Sequence, residues 1–247
     1  MSELKSNTEW KQWGKDDPLW GVASWAGREK DGAHAWTEEE FYAVGALDWR
    51  DFLAHWQQYG MDARSCAEIG CGAGRMTRQL AGTFEKVHAF DVSEGMVERA
   101  RQAVGANVEF AVIDGQHLPL SDGAVQGIFS THVLQHLDSV EIGLGYFREF
   151  YRVLGAGGSL MVHLPLYELP AGPERRVMKL THRLARRVSD WRANMRRSRG
   201  IKTMRGTPYP IGELTASLTA LGFKRVEFRI FAVSSNGDMH PFVFATR

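Results

Sequence analysis

The fold of this 247-residue chain is decided by the stretch Glu68-Ile69-Gly70-Cys71-Gly72-Ala73-Gly74. A short apolar run at 65–69 leads into it, and a helical pattern opens at Gly74. Glycine is required where a backbone turns tightly or approaches a ligand without an intervening Cβ atom. In open α/β sheets, ligands bind outside the carboxyl ends of the strands. The stretch therefore predicts a strand, loop and helix whose loop backbone contacts a bound ligand.

The chain beyond this loop alternates between strand-like and helix-like segments. With helices between them, further strands are predicted at 86–91, 108–113, 124–130 and 159–164. Such alternation is typical of a parallel sheet with helices on both faces. Two more strands, at 226–233 and 241–246, flank the turn-forming pair Asn236-Gly237. We therefore predict an α/β fold with a seven-stranded, mostly parallel sheet and an antiparallel C-terminal hairpin.

The segments around this core divide one predicted domain into four parts. Residues 1–36 form an irregular, tryptophan-rich arm, and Thr37 and Glu40 form a capping box that begins a helix ending before Gly60. The four parts are the N-terminal arm with its helix (1–60), a cofactor-binding core (61–165), a basic lid (166–210), and a C-terminal helix and hairpin (211–247).

The composition excludes several classes of protein. The chain is 44% hydrophobic and 24% charged, which is ordinary for a globular protein, and its formal net charge of +1 does not indicate a nucleic-acid binder. Cys66 and Cys71 lack a metal-binding spacing. The first residues are polar, and no apolar run approaches the roughly 20 residues of a membrane span. We expect a cytoplasmic protein with reduced thiols and no metal site.

The spacing of the glycines indicates which ligand the loop binds. A dinucleotide fingerprint has the form GxGxxG, but Arg75 occupies the position of its third glycine. Glu68 places a carboxylate where a pyrophosphate needs bare amides. Both features argue against a nicotinamide-dependent oxidoreductase. A cationic ligand without phosphate suits Glu68 better, and Asp91, at the end of the second strand, is placed to accept hydrogen bonds from ribose hydroxyls.

Three further motifs follow the glycine loop in order: Phe90-Asp91-Val92-Ser93, Asp114-Gly115-Gln116-His117-Leu118-Pro119-Leu120, and His132-Val133-Leu134-Gln135-His136-Leu137. With the turn at 152–158 before the fifth strand, the sequence resembles the class I S-adenosylmethionine-dependent methyltransferases of the small-molecule type. The resemblance covers about 66–164. It implies a Rossmann-like fold, S-adenosyl-L-methionine as cofactor and S-adenosyl-L-homocysteine as product.

The resemblance also implies how the cofactor is held. It places Glu68 and Gly70 near the methionine moiety and Asp91 at the ribose. Asp114 and Gln116 would hold the adenine, and Thr131 with His132 would flank the methyl group. The complete predicted cofactor set is Glu68, Gly70, Gly72, Gly74, Asp91, Val92, Met96, Asp114, Gly115, Gln116 and Thr131.

The sequence limits the class of methyl acceptor. After the fourth strand it reads Ser130-Thr131-His132-Val133, and not the Asn/Asp-Pro-Pro-aromatic run that enzymes acting on amino groups of DNA bases or glutamine have in common. An oxygen acceptor usually needs a base to remove its proton, and imidazole titrates near neutrality. The catalytic candidates are His132, His163 and Tyr209, with His136 and His240 as weaker ones.

These features predict O-methylation of a small-molecule hydroxyl, on a sugar or a natural product. N-methylation of a small heterocycle or amine is the alternative. A protein that binds S-adenosylmethionine without catalysis is the alternative from another class.

The segment 174–205 is strongly basic. It holds twelve Arg or Lys residues and two acids, a net charge of +10. Its apolar residues recur at helical spacing and predict a helix whose apolar face packs between the fifth strand and the hairpin. The basic face favours an anionic or carrier-bound acceptor, or contact with a membrane surface. Nucleic acid is disfavoured because the patch lacks interleaved aromatic residues.

Overall fold

The computed structural model describes residues 3–169, 174–197, 204 and 206–247. Its strands are β1 (Ser65–Ile69), β2 (Lys86–Asp91), β3 (Val108–Val112), β4 (Val125–Ser130), β5 (Leu154–His163), β6 (Leu166–Tyr167), β7 (Tyr209–Pro210), β8 (Lys224–Ala232) and β9 (Met239–Thr246). Its α-helices are α1 (Lys5–Asp16), α2 (Pro18–Val22), α3 (Glu38–Tyr59), α4 (Thr77–Ala81), α5 (Glu94–Ala103), α6 (Val140–Val153), α7 (Glu174–Arg197) and α8 (Ile211–Leu221).

Seven of the strands form one sheet in the order β3-β2-β1-β4-β5-β9-β8. Strands β1 to β5 are parallel, whereas β9 runs antiparallel to both of its neighbours. The turn between β8 and β9 contains Gly237 at a φ of 76°, as the Asn-Gly pair indicated. The predicted fold is confirmed. The strand order reverses between β1 and β4, which is where open α/β sheets bind ligands.

Helices cover both faces of this sheet. On one face, Phe52 and Trp56 of α3 pack against Phe129 of β4. On the other, Phe147 of α6 and Leu218 of α8 belong to the largest apolar cluster. Burial of a large apolar side chain contributes roughly 1.5–3 kcal/mol. The carboxyl ends of the strands are therefore held as a rigid platform.

The predicted helix after residue 37 is confirmed, together with both of its ends. The Thr37 side chain accepts a hydrogen bond from the Glu40 amide, and the Glu40 carboxylate accepts one from the Thr37 amide. Gly60 ends α3 in the left-handed conformation, at a φ of 108°. α3 therefore lies where the capping box placed it.

The N-terminal arm is more regular than the sequence predicted, because it contains α1 and α2. Asp17 caps α2 by accepting a hydrogen bond from the Trp20 amide. Leu4 precedes α1 without any side-chain cap, so the sequence carries no start signal for that helix. Trp20 and Trp36 are buried with Met96 of α5, so the arm is packed onto the core.

The basic segment forms a helix, but its apolar face is not packed as predicted. Leu180, Leu184, Val188 and Trp191 of α7 are between 47% and 60% exposed, so the expected burial against the fifth strand and the hairpin is wrong. Arg199, Lys202 and Arg205 lie outside the described residues. Within the described part of the chain, no helix is long and apolar enough to cross a membrane.

A short parallel pair of strands brackets the basic segment. β6 pairs with β7, so Leu166 lies opposite Tyr209. The sequence did not predict this pair, because two-residue strands carry too little pattern to be recognised. It ties both ends of the segment that contains α7 to the carboxyl edge of the sheet.

Candidate active site

A cavity of about 380 Å³ opens at the carboxyl ends of β1, β2 and β4. Its floor is the glycine loop, and its walls come from the N-terminal arm, from α3, from the loop after β4 and from the β8–β9 turn. Ser6, Asn7 and Trp10 of α1 line one side. Nothing in the sequence singled out Ser6 and Asn7 for the site, because their position depends on how α1 packs on the core.

The glycine loop brings bare backbone to the cavity. Gly70 and Gly72 both line it and have positive φ angles of 78° and 51°. A Cβ atom on Gly70 would lie 2.1 Å from a Val133 methyl carbon, and one on Gly72 would lie 2.5 Å from a Val22 methyl carbon. Both positions therefore require glycine, for the backbone conformation and for the space.

The Asp91 carboxylate holds this loop in place at the end of β2. It accepts hydrogen bonds of 2.9 Å from the amides of Gly72 and Ser93. Burial raises the pKa of Asp91, and the two amides oppose that rise. Asp91 and Val92 line the cavity, and their contact with a ribose stays a prediction.

Glu68 lies under the floor of the cavity and not in its wall. Its side chain is buried, and its Oε2 atom has no hydrogen-bond partner among the residues that the structure describes. Burial raises the pKa of Glu68 to about 8. A buried carboxyl group with one unpartnered oxygen fits a cationic ligand above the loop, because a nearby positive charge favours its ionised form.

The Asp114 loop is turned away from the cavity. The Asp114 carboxylate accepts hydrogen bonds from the Gln116 and His117 amides and pairs with the His117 ring. Asp114, Gly115 and Gln116 lie outside the wall, which Ile113 forms at this point. The Asp114 carboxylate is thus engaged within its own loop, and its contact with an adenine amine stays a prediction.

Two other predicted cofactor residues have packing roles. Gly74 has a φ of 86°, and a Cβ atom there would lie 3.1 Å from the Ala100 Cα atom of α5. Met96 is fully buried beneath the arm, next to Gly14 and Gly21. Neither residue lines the cavity, so their contact with the cofactor stays a prediction.

Three histidine rings meet at the end of the cavity beside β4, β5 and β9. The ring centroids of His132 and His163 are 4.3 Å apart, and His240 lies 5.0 Å and 5.2 Å from them. His132 and His240 line the cavity together with Thr131, and His163 lies behind them. The sequence predicted His132 and His163 here, and His240 joins them because β9 pairs with β5. We call these three residues the histidine cluster.

The environment of the histidine cluster disfavours protonated imidazole. Burial, followed by the nearby charge of His240, lowers the pKa of His163 to about 3. Burial also lowers the pKa of His132 well below its usual value and lowers that of His240. All three rings are therefore neutral near pH 7.

A buried ion pair between Arg75 and Asp48 also lines the cavity. Arg75 precedes α4, and Asp48 is on α3. Among the described residues, the Arg75 Nε and Asp48 Oδ1 atoms have no hydrogen-bond partner. No sequence motif indicates this pair, because the contact forms only when α3 packs against the glycine loop.

Tyr209 is not part of the site. It is fully buried, and its hydroxyl donates a hydrogen bond of 2.9 Å to the Leu134 carbonyl. The ring lies against Gly143 of α6 and outside the cavity wall. The prediction that Tyr209 contacts the substrate is therefore wrong, because β7 directs its side chain into the core.

Comparison with known proteins agrees with this geometry. The seven-stranded, mostly parallel sheet with a cavity at its switch point is the fold of several solved methyltransferases. The fold matches a methyltransferase from Aquifex aeolicus (TM-score 0.53, 22% identity, 82% of this chain and 90% of that one). It also matches magnesium protoporphyrin IX methyltransferase from Synechocystis with bound S-adenosylhomocysteine (TM-score 0.59, 18% identity, 97% and 99%).

The sequence match is narrower. Residues 67–162 match the family model of the methyltransferase domain. Over 103 residues the chain is 31% identical to malonyl-[acyl-carrier protein] O-methyltransferase from Geobacter sulfurreducens, with 40% of this chain and 38% of that enzyme covered. The chain thus spans less than half the length of this curated relative. Residues 67–162 therefore match a methyltransferase domain, and one of the solved structures that share the fold holds S-adenosylhomocysteine.

Proposed function

We propose that this protein methylates a hydroxyl group of a small molecule with S-adenosylmethionine. The observation that carries the proposal is a single cavity with two chemically different ends. One end has the glycine floor and Asp91, which suit the cofactor. The other end has the neutral imidazoles of His132 and His240, which suit a hydrogen-bond donor such as a hydroxyl group.

The reaction needs positioning more than it needs a strong base. When bound, S-adenosylmethionine supplies a methyl group whose bond to sulfur breaks as its bond to the acceptor oxygen forms, leaving S-adenosylhomocysteine. The hydroxyl group loses its proton to water in the same reaction. A neutral His132 ring can accept a hydrogen bond from that hydroxyl and direct its lone pair toward the methyl group. Holding the reacting atoms in line contributes a large part of such catalysis.

A carboxylate on a carrier is the second candidate acceptor. Arg75 lines the cavity and places a positive charge near the histidine cluster, although Asp48 balances part of it. Several curated relatives are malonyl-[acyl-carrier protein] O-methyltransferases. A carboxylate acceptor is ionised at neutral pH and needs no base, so this reading is also compatible with the low basicity of the cluster.

N-methylation remains a further alternative, supported by a 27% identity over 105 residues to ajmaline N-methyltransferase from Rauvolfia serpentina. The charge of Arg75 disfavours a cationic amine in the acceptor end. A non-catalytic S-adenosylmethionine-binding protein would bind the cofactor and form no S-adenosylhomocysteine with any acceptor.

The experiment that separates these readings is a screen for S-adenosylhomocysteine formation. Sugars, phenols, small amines and malonyl groups on a carrier would be offered in parallel. We expect turnover with a hydroxyl acceptor and loss of most of it in His132→Ala, with S-adenosylmethionine binding retained. Turnover confined to amines, or a His132→Ala variant with unchanged rates, would contradict the proposal.

The exposed apolar face of α7 suits contact with an anionic membrane surface. Leu180, Leu184, Val188 and Trp191 follow helical spacing and are exposed. The same helix carries nine Arg or Lys residues and two acids. An apolar face that includes Trp, opposite a face rich in Arg and Lys, is typical of helices lying in the plane of a membrane interface. Their positive charge complements acidic lipid headgroups.

A further inference from the structure

The histidine cluster has the composition of a metal site, although its members are far apart in the chain. His132 follows β4, His163 ends β5 and His240 is in β9. In the sheet, Ser130 of β4 pairs with Val162 of β5, and His163 of β5 pairs with Phe242 of β9. Neighbouring strand ends therefore bring the three rings to one point. Within the described ranges this is the one group of three or more His, Cys, Asp or Glu side chains whose ligand atoms lie within 4.8 Å of one another.

Three of the six ring nitrogens of the cluster are buried without a hydrogen bond among the described residues. His163 Nδ1 and both ring nitrogens of His240 have no partner in the described part of the chain. Thr131 Oγ1, beside His132, is also buried and without a partner there. Buried polar atoms are rarely left unsatisfied, and each case calls for an explanation such as an ion or water.

The backbone at His132 points to a ligand as well. Its φ of 58° lies in the left-handed region, which is uncommon for a residue other than glycine. Residues held in such conformations cluster at active sites and ligand clamps. This conformation turns the His132 ring toward His163 and His240, where their centroids come within 5.0 Å of it.

The geometry points to a divalent transition-metal ion bound by His132, His163 and His240. Three neutral imidazoles and one open position form the usual arrangement of a catalytic zinc site. Imidazole ligands suit Zn²⁺, Fe²⁺, Co²⁺ and Ni²⁺ better than Mg²⁺ or Ca²⁺. Nitrogen–metal distances of 2.0–2.1 Å need nitrogen–nitrogen separations of about 3.3 Å. The ligand nitrogens, which lie within 4.8 Å of one another, therefore have to approach one another by at most about 1.5 Å.

The open position of this ion faces the cavity, because His132 and His240 line it and His163 lies behind them. An acceptor oxygen bound there would be polarised by the metal, which acts as a Lewis acid and makes its hydroxyl group more acidic. This role rests on the proposed function, whereas metal binding itself does not. With the ion bound, the metal takes over from the His132 ring the contact to the acceptor oxygen.

Metal binding can be measured without any acceptor. Tag-free protein would be stripped with a chelator, titrated with Zn²⁺ by calorimetry, and loaded with Co²⁺ to record its visible absorption. His163→Gln and His240→Gln each remove one ligand, and His34→Gln, an exposed histidine of the arm, is the control. S-adenosylmethionine binding by each variant shows that it is folded.

We expect one Zn²⁺ ion per chain and an absorption spectrum of tetrahedral Co²⁺. Each cluster variant should bind Zn²⁺ at least about 100-fold more weakly. Mutation of a residue that only hydrogen-bonds to a metal ligand already lowers metal affinity 10–100-fold. His34→Gln should bind like the wild type. Less than one ion per chain, or equal affinity in the cluster variants, would overturn the metal site. Failure of the proposed function would appear separately, as a metal-binding protein that forms no S-adenosylhomocysteine with any hydroxyl acceptor.

Discussion

The Gly72 amide donates a hydrogen bond of 2.9 Å to the Asp91 carboxylate, and this contact joins the glycine loop after β1 to the end of β2. The Phe90 carbonyl accepts hydrogen bonds from the Gly70 and Cys71 amides at the same junction. Two adjacent strand ends are thereby fixed in the arrangement that a nucleoside needs, with bare backbone on one side and a carboxylate on the other. The function proposed for the chain depends on this junction.

Gly70→Ala should abolish S-adenosylmethionine binding. The new methyl group would lie 2.1 Å from a Val133 carbon, and the φ of 78° disfavours a side chain. Gly105→Ala is the matched control, because nothing lies within 4 Å of a Cβ atom there. Calorimetric titration of both variants measures the difference. Equal binding by the two would show that the loop does not touch the ligand.

Glu68→Gln should make the ligand-free protein more stable at alkaline pH. The pKa of Glu68 is about 8 in the folded protein, against 4.5 for the free group. The folded state therefore retains a proton that the unfolded state has lost, and Glu68 loses its contribution to stability as the pH rises from about 4.5 to about 8.

Urea denaturation at pH 6 and pH 8.5 tests this prediction. The difference in free energy of unfolding between Glu68→Gln and the wild type should move in favour of the variant as the pH rises. If the stability difference between the two proteins does not change with pH, or changes in favour of the wild type, the pKa of Glu68 is not raised in the folded protein.

Tyr209→Phe should lower stability without changing catalysis. The variant removes the 2.9 Å hydrogen bond that the Tyr209 hydroxyl donates to the buried Leu134 carbonyl. Loss of this bond should cost about 1 kcal/mol of stability. Thermal unfolding and the rate of S-adenosylhomocysteine formation would be measured on the same preparation. A fall in turnover at unchanged stability would show that the Tyr209 hydroxyl takes part in catalysis.

Leu184→Asp should weaken binding to vesicles that contain phosphatidylglycerol. Leu184 is half exposed on α7, and Leu47→Asp is a matched control because Leu47 is 42% exposed on α3. Co-sedimentation should show binding by the wild type and by Leu47→Asp, and little binding to vesicles of phosphatidylcholine alone. Equal sedimentation of the two variants, or binding only to an acidic carrier protein, would contradict the membrane assignment of α7.

The sequence predicted those features that a short stretch of chain encodes by itself. The glycine loop, the Asp91 strand end and the Thr37–Glu40 capping box each require particular residues at fixed spacing. The hairpin followed from its Asn-Gly turn. These elements lie where the sequence placed them because local backbone geometry determines them.

Features that depend on packing between distant segments were missed or misplaced. Asp48 meets Arg75 only through the docking of α3, and the position of His240 depends on the register of β9 against β5. Tyr209 was a catalytic candidate for its hydroxyl group, but the short β6–β7 pair turns its side chain inward. The apolar spacing of α7 predicted a helix correctly and could not tell a buried face from an exposed one.

Titration with S-adenosylmethionine by calorimetry tests the central claim most directly. The wild-type protein should bind one S-adenosylmethionine per chain, with S-adenosylhomocysteine as a competitor and no binding of NAD. Asp91→Ala should bind at least about tenfold more weakly, because a buried hydrogen bond to a charged group is worth about 1.5–3 kcal/mol, and the exposed Glu94→Ala should match the wild type. No binding of S-adenosylmethionine, or binding of NAD in its place, would contradict the account.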